Sequence, residues 1–545
     1  MDTSLASLDY IVLGAYFAIL LGIAWWVIRQ KNKTTEDYFL AGRNVGWFVI
    51  GASIFASNIG SEHVVGLAGT GAESGMPMAH YELHAWIVLL LGWLFLPFYM
   101  RSGAFTMPEF LEKRFDSRSR WFLSLFSIAG YVLTKVSVTI YAGGIVVSQL
   151  LGIGFLEGAI IIVVVTGLYT ILGGLRAVVY TEAFQTVILL LGSMTITIMG
   201  LIEVGGWNEL KATAGSSHFN MWRPSSDAQF PWTGMLIGGT IVGIWYWCTD
   251  QYIVQRTLAA HNIKIGRRGA IFGAYLKLTP VFIFLIPGII AYALREKGVL
   301  TYGKSDEVFP TLVKYLLPAG LKGLVAGGLM AALMSSLASV FNSASTLFTV
   351  DIFKKMHPDA PEEKLVRIGR IATGIIVVLG MLWIPIMQKI GGGVLYQYLQ
   401  SVQAYIAPPI TAVFLLGILW KRVNAKGAIA TLLFGLVMAT VRIISELMFT
   451  ENGQLVAGAS GLLAQFATIN FAHMAIYMFV ACVVVCSVVS LVTEKPSLEQ
   501  IRGLTFGTLS AEQKAAAKNS FSKWDVIASV ILAAIVISIL VYFRG

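Results

Sequence analysis

The chain has 545 residues, of which 57% are hydrophobic and 12% are charged, and its mean hydropathy is +0.75. This composition excludes a soluble globular protein and predicts a protein that crosses a membrane many times. The formal net charge of +10 at pH 7 does not call for a nucleic-acid partner, because the distribution of Lys and Arg along the chain explains it.

About fourteen apolar segments are long enough to cross a bilayer, and they predict an all-α integral membrane protein. They cover residues 9–29, 47–74, 79–101, 120–148, 155–173, 178–203, 233–257, 269–294, 319–350, 367–387, 394–420, 425–447, 469–493 and 524–542. The first segment lacks the basic start and the cleavage site of a signal peptide, so we expect it to be retained. The loops are too short for a separate domain, so residues 1–545 are predicted to form a single transmembrane domain.

Lys and Arg are concentrated in every second loop, which predicts the orientation in the membrane. The rich loops are residues 29–43, 101–120, 256–268, 354–370, 421–426 and 495–523. By the positive-inside rule these loops face the cytoplasm, and an even number of spans then leaves both termini outside. The external loops are short and contain no cysteine and no N-x-Ser/Thr acceptor. We therefore expect a multi-pass protein of the plasma membrane, in particular of a bacterial inner membrane.

Polar residues interrupt the second apolar segment where a spanning helix would be at mid-depth. The stretch FASNIGSEH brings together Ser57, Asn58, Gly60, Ser61, Glu62 and His63. Unwound backbone is tolerated inside a membrane where it lines a protein cavity, and its carbonyls suit a cation such as sodium. A kinked helix whose Ser and Asn bond to their own backbone is the alternative for any one of these residues. Glu and His within the cluster favour a functional site.

A second interruption predicts the architecture. The predicted segment 233–257 lies in the run WTGMLIGGTIVGIWYWCTDQYIVQRT (232–257), which is rich in glycine and then in aromatic and polar residues. Five helices lie between the starts of the two interrupted segments, so the segments run in opposite directions through the membrane. Such a pair predicts a LeuT-type inverted repeat of 5+5 helices with a site at the midplane. The repeats would be residues 47–203 and 233–420, with an extra N-terminal helix at 9–29 and peripheral helices at 425–542.

Several long runs carry a resemblance to a known family. They are TEDYFLAGR (35–43), ASNIGSEHVVGLAGTG (56–71), TMPEFLEKRF (106–115), WYWCTDQYIVQR (245–256), GAYLKLTP (273–280), LMSSLASVFNSASTLFTVDI (333–352), YLQSVQAYIAPPI (398–410) and VFLLGILWKRVN (413–424). The sequence resembles the solute:sodium symporter family, and within it the sodium/glucose and sodium/galactose cotransporters. The resemblance extends from the second predicted helix to the eleventh.

The resemblance implies a sodium site and a sugar site. Its sodium ligands would be the carbonyls of Ala56, Ile59 and Ala332 and the hydroxyls of Ser335 and Ser336. Ser335 and Ser336 could instead serve only close helix packing. Its sugar ligands would be Asn58, His63, Glu82, Tyr246, Trp247, Lys277 and Gln400. Lys277 lies within an apolar segment and needs a partner, for which Glu82, a sugar hydroxyl and a backbone carbonyl are the candidates; snorkelling to the interface is the alternative.

The resemblance also implies gates and a path for sodium. Leu67, Tyr81 and Tyr396 would form the outer gate, Tyr246 the inner gate, and Glu182 would lie on the sodium exit path. Two positions depart from the family. Ala338 has no hydroxyl where some members build a second sodium site, so one sodium per substrate is predicted. His63 replaces the Gln of the bacterial galactose type and favours the glucose-cotransporter pattern.

The function implied is sodium-coupled symport of a hexose by alternating access, with sodium as the coupling ion. A symporter for myo-inositol or another polyol is the main alternative, and a sodium-gated sugar sensor or channel is a further one. A membrane enzyme using Glu62, His63 and Glu82 is disfavoured, because the sequence has no HExxH motif and no nucleophile elbow. The expected partners are the sugar, sodium and the lipid bilayer, with no nucleic acid, in a monomer or weak dimer.

Overall fold

The computed structural model describes residues 5–30, 34–60, 62–390, 395–451 and 454–544, and it is almost entirely helical. Its first α-helices are Ser7–Ile28, Thr35–Leu40, Trp47–Asn58, Ala68–Ser74, Ala79–Glu82, Ala85–Leu90, Leu96–Ser102, Met107–Arg114, Ser117–Gly130, Ser137–Leu151, Phe155–Val204 and Trp207–Phe219. The later ones are Gly239–Ile244, Gln251–Leu258, Ile263–Leu276, Ile286–Glu296, Val308–Leu316, Leu321–Thr346, Lys354–Met356, Glu362–Ile390, Leu395–Leu419, Ala425–Phe449, Leu462–Thr468, Phe471–Val492, Leu498–Ile501, Ala511–Asn519 and Lys523–Tyr542.

Wider and tighter turns join these helices. The π-helical turns are Glu62–Leu67, Leu91–Phe95, Tyr131–Val136, Gly234–Gly238, Trp245–Thr249, Val281–Leu285 and Leu347–Phe353. The 3-10 turns are Ala41–Arg43, Met76–Met78, Ser305–Glu307 and Phe506–Thr508. Within the described ranges, strand structure is limited to the short antiparallel pair Thr450–Glu451 and Gln454–Leu455.

Fewer helices are long and apolar enough to cross a membrane than the sequence predicted. In the part of the chain that the structure describes, ten helices qualify, or eleven if the bent pair Trp47–Asn58 and His63–Ser74 is one span. The predicted segments 155–173 and 178–203 lie in the single 50-residue helix Phe155–Val204, which kinks at Gly174. The predicted segments 120–148 and 233–257 contain only the shorter apolar helices Ser137–Ser148 and Gly234–Thr249. The predicted count of fourteen is therefore approximate, because hydropathy does not show where a helix breaks or continues.

Gly174 makes that kink sterically feasible. Its φ of 58° and ψ of −156° are not helical, and φ lies in the region that favours glycine. A Cβ there would lie 2.5 Å from the carbonyl oxygen of Tyr38. The kink thus lets the short helix Thr35–Leu40 pack directly against the long one.

The helix Leu321–Thr346, which we call the facing helix, is the most enclosed part of the fold. In the span to which it belongs, 94% of the most apolar stretch is buried. Its small residues allow close packing on its neighbours. Asp9 of the first helix accepts hydrogen bonds from the backbone N–H groups of Gly320 (2.6 Å) and Gly323 (2.7 Å), at the start of the facing helix. A buried carboxylate there satisfies donors that a helix start leaves unpaired.

The last three long helices lie at the periphery. Buried fractions of their most apolar stretches are 39% for Ala425–Phe449, 28% for Phe471–Val492 and 17% for Lys523–Tyr542. Exposed residues on these helices are predominantly large and apolar, as in Val484, Ile531 and Val541. Such surfaces match the hydrocarbon region of a bilayer.

Candidate functional site

The first broken helix comprises Trp47–Asn58, the turn Glu62–Leu67 and Ala68–Ser74. Regular helix ends at Asn58, because Ile59 is extended with φ −78° and ψ 100°. The two halves are bent by 63° relative to each other. The predicted polar cluster lies at this break, although Ser61 and the Glu62 side chain are outside the described part of the chain. The break leaves backbone carbonyls without their usual helical partners.

The five sodium ligands implied by the sequence come together between the first broken helix and the facing helix. The Ser335 hydroxyl is 2.7 Å from the carbonyl oxygen of Ala56 and 3.1 Å from that of Ala332. The Ser336 hydroxyl is 3.2 Å from the carbonyl oxygen of Ile59. Neutral oxygens from two helices, each held by rigid backbone, form the type of donor set that suits a dehydrated monovalent cation.

Sequence reasoning missed one member of this oxygen cluster. The carbonyl oxygen of Ser57 also lies 3.2 Å from the Ser336 hydroxyl, and it accepts a short hydrogen bond from the Tyr252 hydroxyl. The position of Ser57 between Ala56 and Ile59, two predicted ligands, could have indicated that its carbonyl belongs to the cluster. The cluster therefore extends to Tyr252, on the second broken helix.

The second broken helix comprises Gly234–Thr249 and Gln251–Leu258, which meet at Asp250. Asp250 is extended, with φ −79° and ψ 128°, and its carboxylate accepts from the backbone N–H of Tyr252 at 3.3 Å. The same carboxylate accepts a hydrogen bond from the Lys135 ammonium at 2.9 Å and a short one from the Tyr131 hydroxyl. The sequence analysis did not predict Lys135 as a partner of the second break, because a lysine in an apolar helix is also typical of a residue near the membrane interface.

A cavity lies between the two breaks. The space between its walls is about 390 Å³, including the part open to solvent. All seven sugar-site residues implied by the sequence line it. Its other lining residues are Tyr81, His84, Val242, Gly243, Leu399 and Gln403. Of these, only Tyr81 was predicted, and as a gate.

An ion pair forms the charged side of the cavity. The Lys277 ammonium is 2.5 Å from a carboxylate oxygen of Glu82, and the same oxygen is 3.3 Å from Nε2 of His63. These three side chains are at most 3% exposed. Lys277 does not snorkel, and Glu82 is its partner. The carboxylate balances the ammonium, which reduces the cost of placing either charge in the membrane.

Other polar atoms of the cavity lack partners within the described protein. The side-chain oxygens of Asn58 and Gln400 and the hydroxyl of Tyr81 are buried without a hydrogen bond. Asn58 uses its amide nitrogen to donate to the Tyr246 hydroxyl at 3.3 Å. Because a buried polar atom without a partner is costly, these atoms indicate where a ligand would form hydrogen bonds.

Aromatic rings complete the cavity wall. Tyr246 and Trp247 meet edge to face, with ring centroids 5.0 Å apart. The Lys277 ammonium lies 5.4 Å from the centre of the Trp247 ring. Among the predicted gate residues, Leu67 is fully buried in the π-helical turn of the first break. The Tyr396 side chain lies outside the described residues.

Glu182 lies next to the oxygen cluster. It is fully buried and its carboxylate accepts hydrogen bonds from the hydroxyls of Ser53, Ser57 (3.2 Å) and Ser339. The Arg256 guanidinium is 3.5 Å from the same carboxylate. Through Ser57, this Glu182 cluster adjoins the carbonyls of the first break.

Comparison with known proteins identifies the family. A model of the sodium:solute symporter family matches residues 38–435. The chain belongs to this family. It is therefore a multi-pass membrane transporter and not an enzyme, and sodium is its co-transported ion. The resemblance stated from the sequence is confirmed.

Two curated relatives and one solved structure are similar over nearly the whole chain. The chain is 38% identical to sodium/myo-inositol cotransporter 2 of Homo sapiens, covering 92% of this chain and 79% of the relative. It is 39% identical to sodium/glucose cotransporter 1 of Oryctolagus cuniculus, covering 89% and 79%. A Na+-coupled sialic acid symporter in a substrate-bound outward-open state aligns with a TM-score of 0.77 at 24% identity, covering 90% of this chain and 98% of that chain. This likeness establishes the LeuT-type fold.

Proposed function

We propose that the co-transported solute is a hexose of the glucose or galactose type. The observation that carries this proposal is the cavity between the two breaks, where an ion pair is charge-balanced and several buried polar atoms have no partner among the described residues. Hydroxyl groups of a neutral sugar would supply the missing hydrogen bonds. The apolar face of the sugar ring would rest on Tyr246 or Trp247.

A myo-inositol or other polyol symporter is the second candidate. The same hydroxyl-pairing atoms would serve a cyclitol, and the similarity to a sodium/myo-inositol cotransporter favours it as strongly as the similarity to a sodium/glucose cotransporter favours a hexose. An anionic sugar fits less well, because the Lys277 ammonium is already matched by Glu82.

The sodium ligands would be the carbonyls of Ala56, Ile59 and Ala332 and the hydroxyls of Ser335 and Ser336. Ala338 has no hydroxyl to help build a second cation site, which supports one sodium per sugar. One charge crossing about 100 mV contributes about 2.3 kcal/mol, enough for roughly 50-fold accumulation from the potential alone. A single sodium would therefore be sufficient for concentrative uptake.

Sodium binding would hold the first break in a shape that presents Asn58 to the sugar, which then binds beside it. Leu67, Tyr81 and Tyr396 would close the cavity on the outer side and Tyr246 on the inner side, in alternation. Glu182 would receive sodium as it leaves.

In this proposal the loops rich in Lys and Arg face the cytoplasm of a bacterial cell, and both termini face outward. Ligands for both solutes come from one chain, so a monomer or a weak dimer would be active.

The decisive experiment is uptake into proteoliposomes that contain the purified protein. With an inward sodium gradient, labelled glucose or galactose should accumulate above equilibrium and then decline, whereas a potassium gradient should give no such overshoot. A sodium-gated channel would only equilibrate the sugar. A weaker overshoot in Gln400→Ala at solute concentrations below KM, with sodium-dependent thermal stabilisation retained, would assign Gln400 to the sugar. Uptake of myo-inositol but of neither hexose would replace the hexose by the polyol.

A further inference from the structure

His84 contacts the cavity in a way that the family resemblance did not suggest. It lies within the membrane-spanning stretch Met76–Ser102, between Ala79–Glu82 and Ala85–Leu90, and it lines the cavity. Only 6% of its surface is exposed. Within the described ranges, no hydrogen bond joins either ring nitrogen to another residue. An imidazole that lines a cavity inside a membrane and makes no hydrogen bond to the described protein is available for contact with a ligand.

Two glycines of the second broken helix provide the space for this ring. A Cβ at Gly243 would lie 2.8 Å from Nδ1 of His84 and 2.5 Å from a terminal methyl of Ile87. A Cβ at Gly239, one turn earlier, would lie 3.5 Å from Nε2. The imidazole therefore lies against a helix face that has no side chains, and any larger residue at position 243 would displace it.

His80, on the same stretch, differs from His84 because its ring has a hydrogen-bond partner in the protein. His80 is also buried on the same stretch, but its Nε2 is 3.1 Å from the carbonyl oxygen of Met221 and its ring packs edge to face on Trp222. The His84 ring instead meets Tyr81, with centroids 5.3 Å apart, and the Tyr81 hydroxyl is itself a buried atom without a partner. His84 and Tyr81 thus form a neutral polar edge of the cavity.

We propose that His84 is a specificity-determining residue that hydrogen bonds to one hydroxyl of the transported solute. Gly243 would set the position of the imidazole in the cavity, because it leaves space for the ring. A neutral imidazole has one N–H and one lone pair, so it can donate to or accept from a hydroxyl. This inference rests on the proposed function, because it assumes a neutral polyhydroxylated solute.

The test is a comparison of sodium-driven uptake of glucose, galactose, myo-inositol and their monodeoxy analogues by the wild type and two variants. His84→Phe keeps a flat ring against the glycines and removes both hydrogen-bonding atoms. We expect it to raise KM for the parent solute by about tenfold. It should leave KM unchanged for the one deoxy analogue that lacks the hydroxyl bound by His84. His84→Gln, which can still hydrogen bond, should retain most of the discrimination.

His80→Phe is the matched control, since it removes a buried histidine from the same stretch without touching the cavity. Its ratio of KM values between parent and analogues should equal that of the wild type. The rise in melting temperature on adding sodium should be the same in all variants. An unchanged ratio in His84→Phe would overturn the inference even though transport persists.

The role of Gly243 has a separate test that does not depend on His84→Phe folding. Gly243→Ala should raise KM for the parent solute about as much as His84→Ala does, and the double variant should be no worse than either single variant, because both act through the same ring. Fully additive effects would contradict the proposed role of Gly243. If the wild type takes up neither hexose nor polyol, the proposed function fails and this inference fails with it, whereas uptake with unchanged KM ratios overturns the inference alone.

Discussion

The cavity and the Glu182 cluster are neighbouring polar regions inside the same membrane domain, yet they differ in how their polar atoms are satisfied. In the cavity, the side-chain oxygens of Asn58 and Gln400 have no partner in the part of the chain that the structure describes. In the cluster, the Glu182 carboxylate is held by three serine hydroxyls and faces the Arg256 guanidinium. Atoms without partners are available to a ligand, whereas paired atoms stabilise the fold.

This difference separates two effects of substitution. Loss of the side-chain oxygen of Asn58 or Gln400 should alter solute affinity and leave the melting temperature nearly unchanged. Changes in the Glu182 cluster should lower the melting temperature, because they leave a buried charge or hydroxyl without its partner.

The largest effect is expected for Arg256→Met. It would leave the buried Glu182 carboxylate without a counter-charge and destabilise the fold by about 3–5 kcal/mol. We expect a strongly lowered melting temperature in detergent and reduced yield. The double variant with Glu182→Gln should recover part of this loss, because it removes the unpaired charge. A melting temperature equal to that of the wild type would show that the pair is not needed for folding.

A smaller and purely functional effect is expected for Gln400→Ala. Removing one hydrogen-bonding group from the solute should cost about 1.4 kcal/mol, which corresponds to roughly a tenfold higher KM. The melting temperature without solute should not fall, since the Gln400 oxygen has no partner to lose. Thermal melting and solute titration on the same preparation would check both statements. A marked drop in melting temperature with unchanged KM would reverse the assignment of this residue.

Ser336→Ala should give a comparable effect on a different ligand. Its hydroxyl lies 3.2 Å from the carbonyl oxygens of Ser57 and Ile59, so its loss should weaken sodium binding by about tenfold. The solute KM measured at saturating sodium should change little. Ser345→Ala is the matched control, because Ser345 lies on the same helix but donates to the carbonyl oxygen of Gly369. Equal sodium dependence in both variants would place the cation elsewhere.

The smallest effect is expected for Lys354→Ala. Its ammonium is 3.9 Å from a carboxylate oxygen of Glu362, and both side chains are more than 40% exposed. Exposed ion pairs contribute little, so the free energy of unfolding should change by less than about 0.5 kcal/mol. Thermal melting of this variant next to Arg256→Met would compare an exposed with a buried ion pair in one protein. A large loss would mean that Lys354 supports the fold through another contact.

Much of the site could be predicted because its signals are local. Glycine and polar residues at mid-membrane depth are enough to predict that the helix stops near Asn58, and these residues are visible in the sequence. The two-serine step Ser335–Ser336 is likewise visible in the sequence. The family resemblance then paired these segments, and the structure brings their oxygens together.

Other features could not be predicted from the sequence, because they depend on the rotation and tilt of packed helices. The partner of Lys277 was left open among three candidates, and Glu82 lies 195 residues away in the chain. His84 was not singled out, since a histidine near an aromatic residue is ordinary until Gly243 is known to face it. Hydropathy also divided Phe155–Val204 into two spans, because the sequence GGLR at 173–176 interrupts the apolar run although the helix continues through it.

The sequence by itself determined the membrane class, the all-helical fold and the two breaks, because each depends on composition, periodicity or polar residues within an apolar segment. The coupling ion followed from the resemblance of runs such as WYWCTDQYIVQR to the sodium symporter family, to which the chain belongs. Tertiary structure alone decided which polar atoms have partners and which do not. That distinction depends on contacts between helices far apart in the chain, for which hydrogen bonding and burial depend on distances of a few tenths of an ångström. The side-chain oxygens of Asn58 and Gln400, which have no partner among the described residues, could be recognised only once the helices were packed.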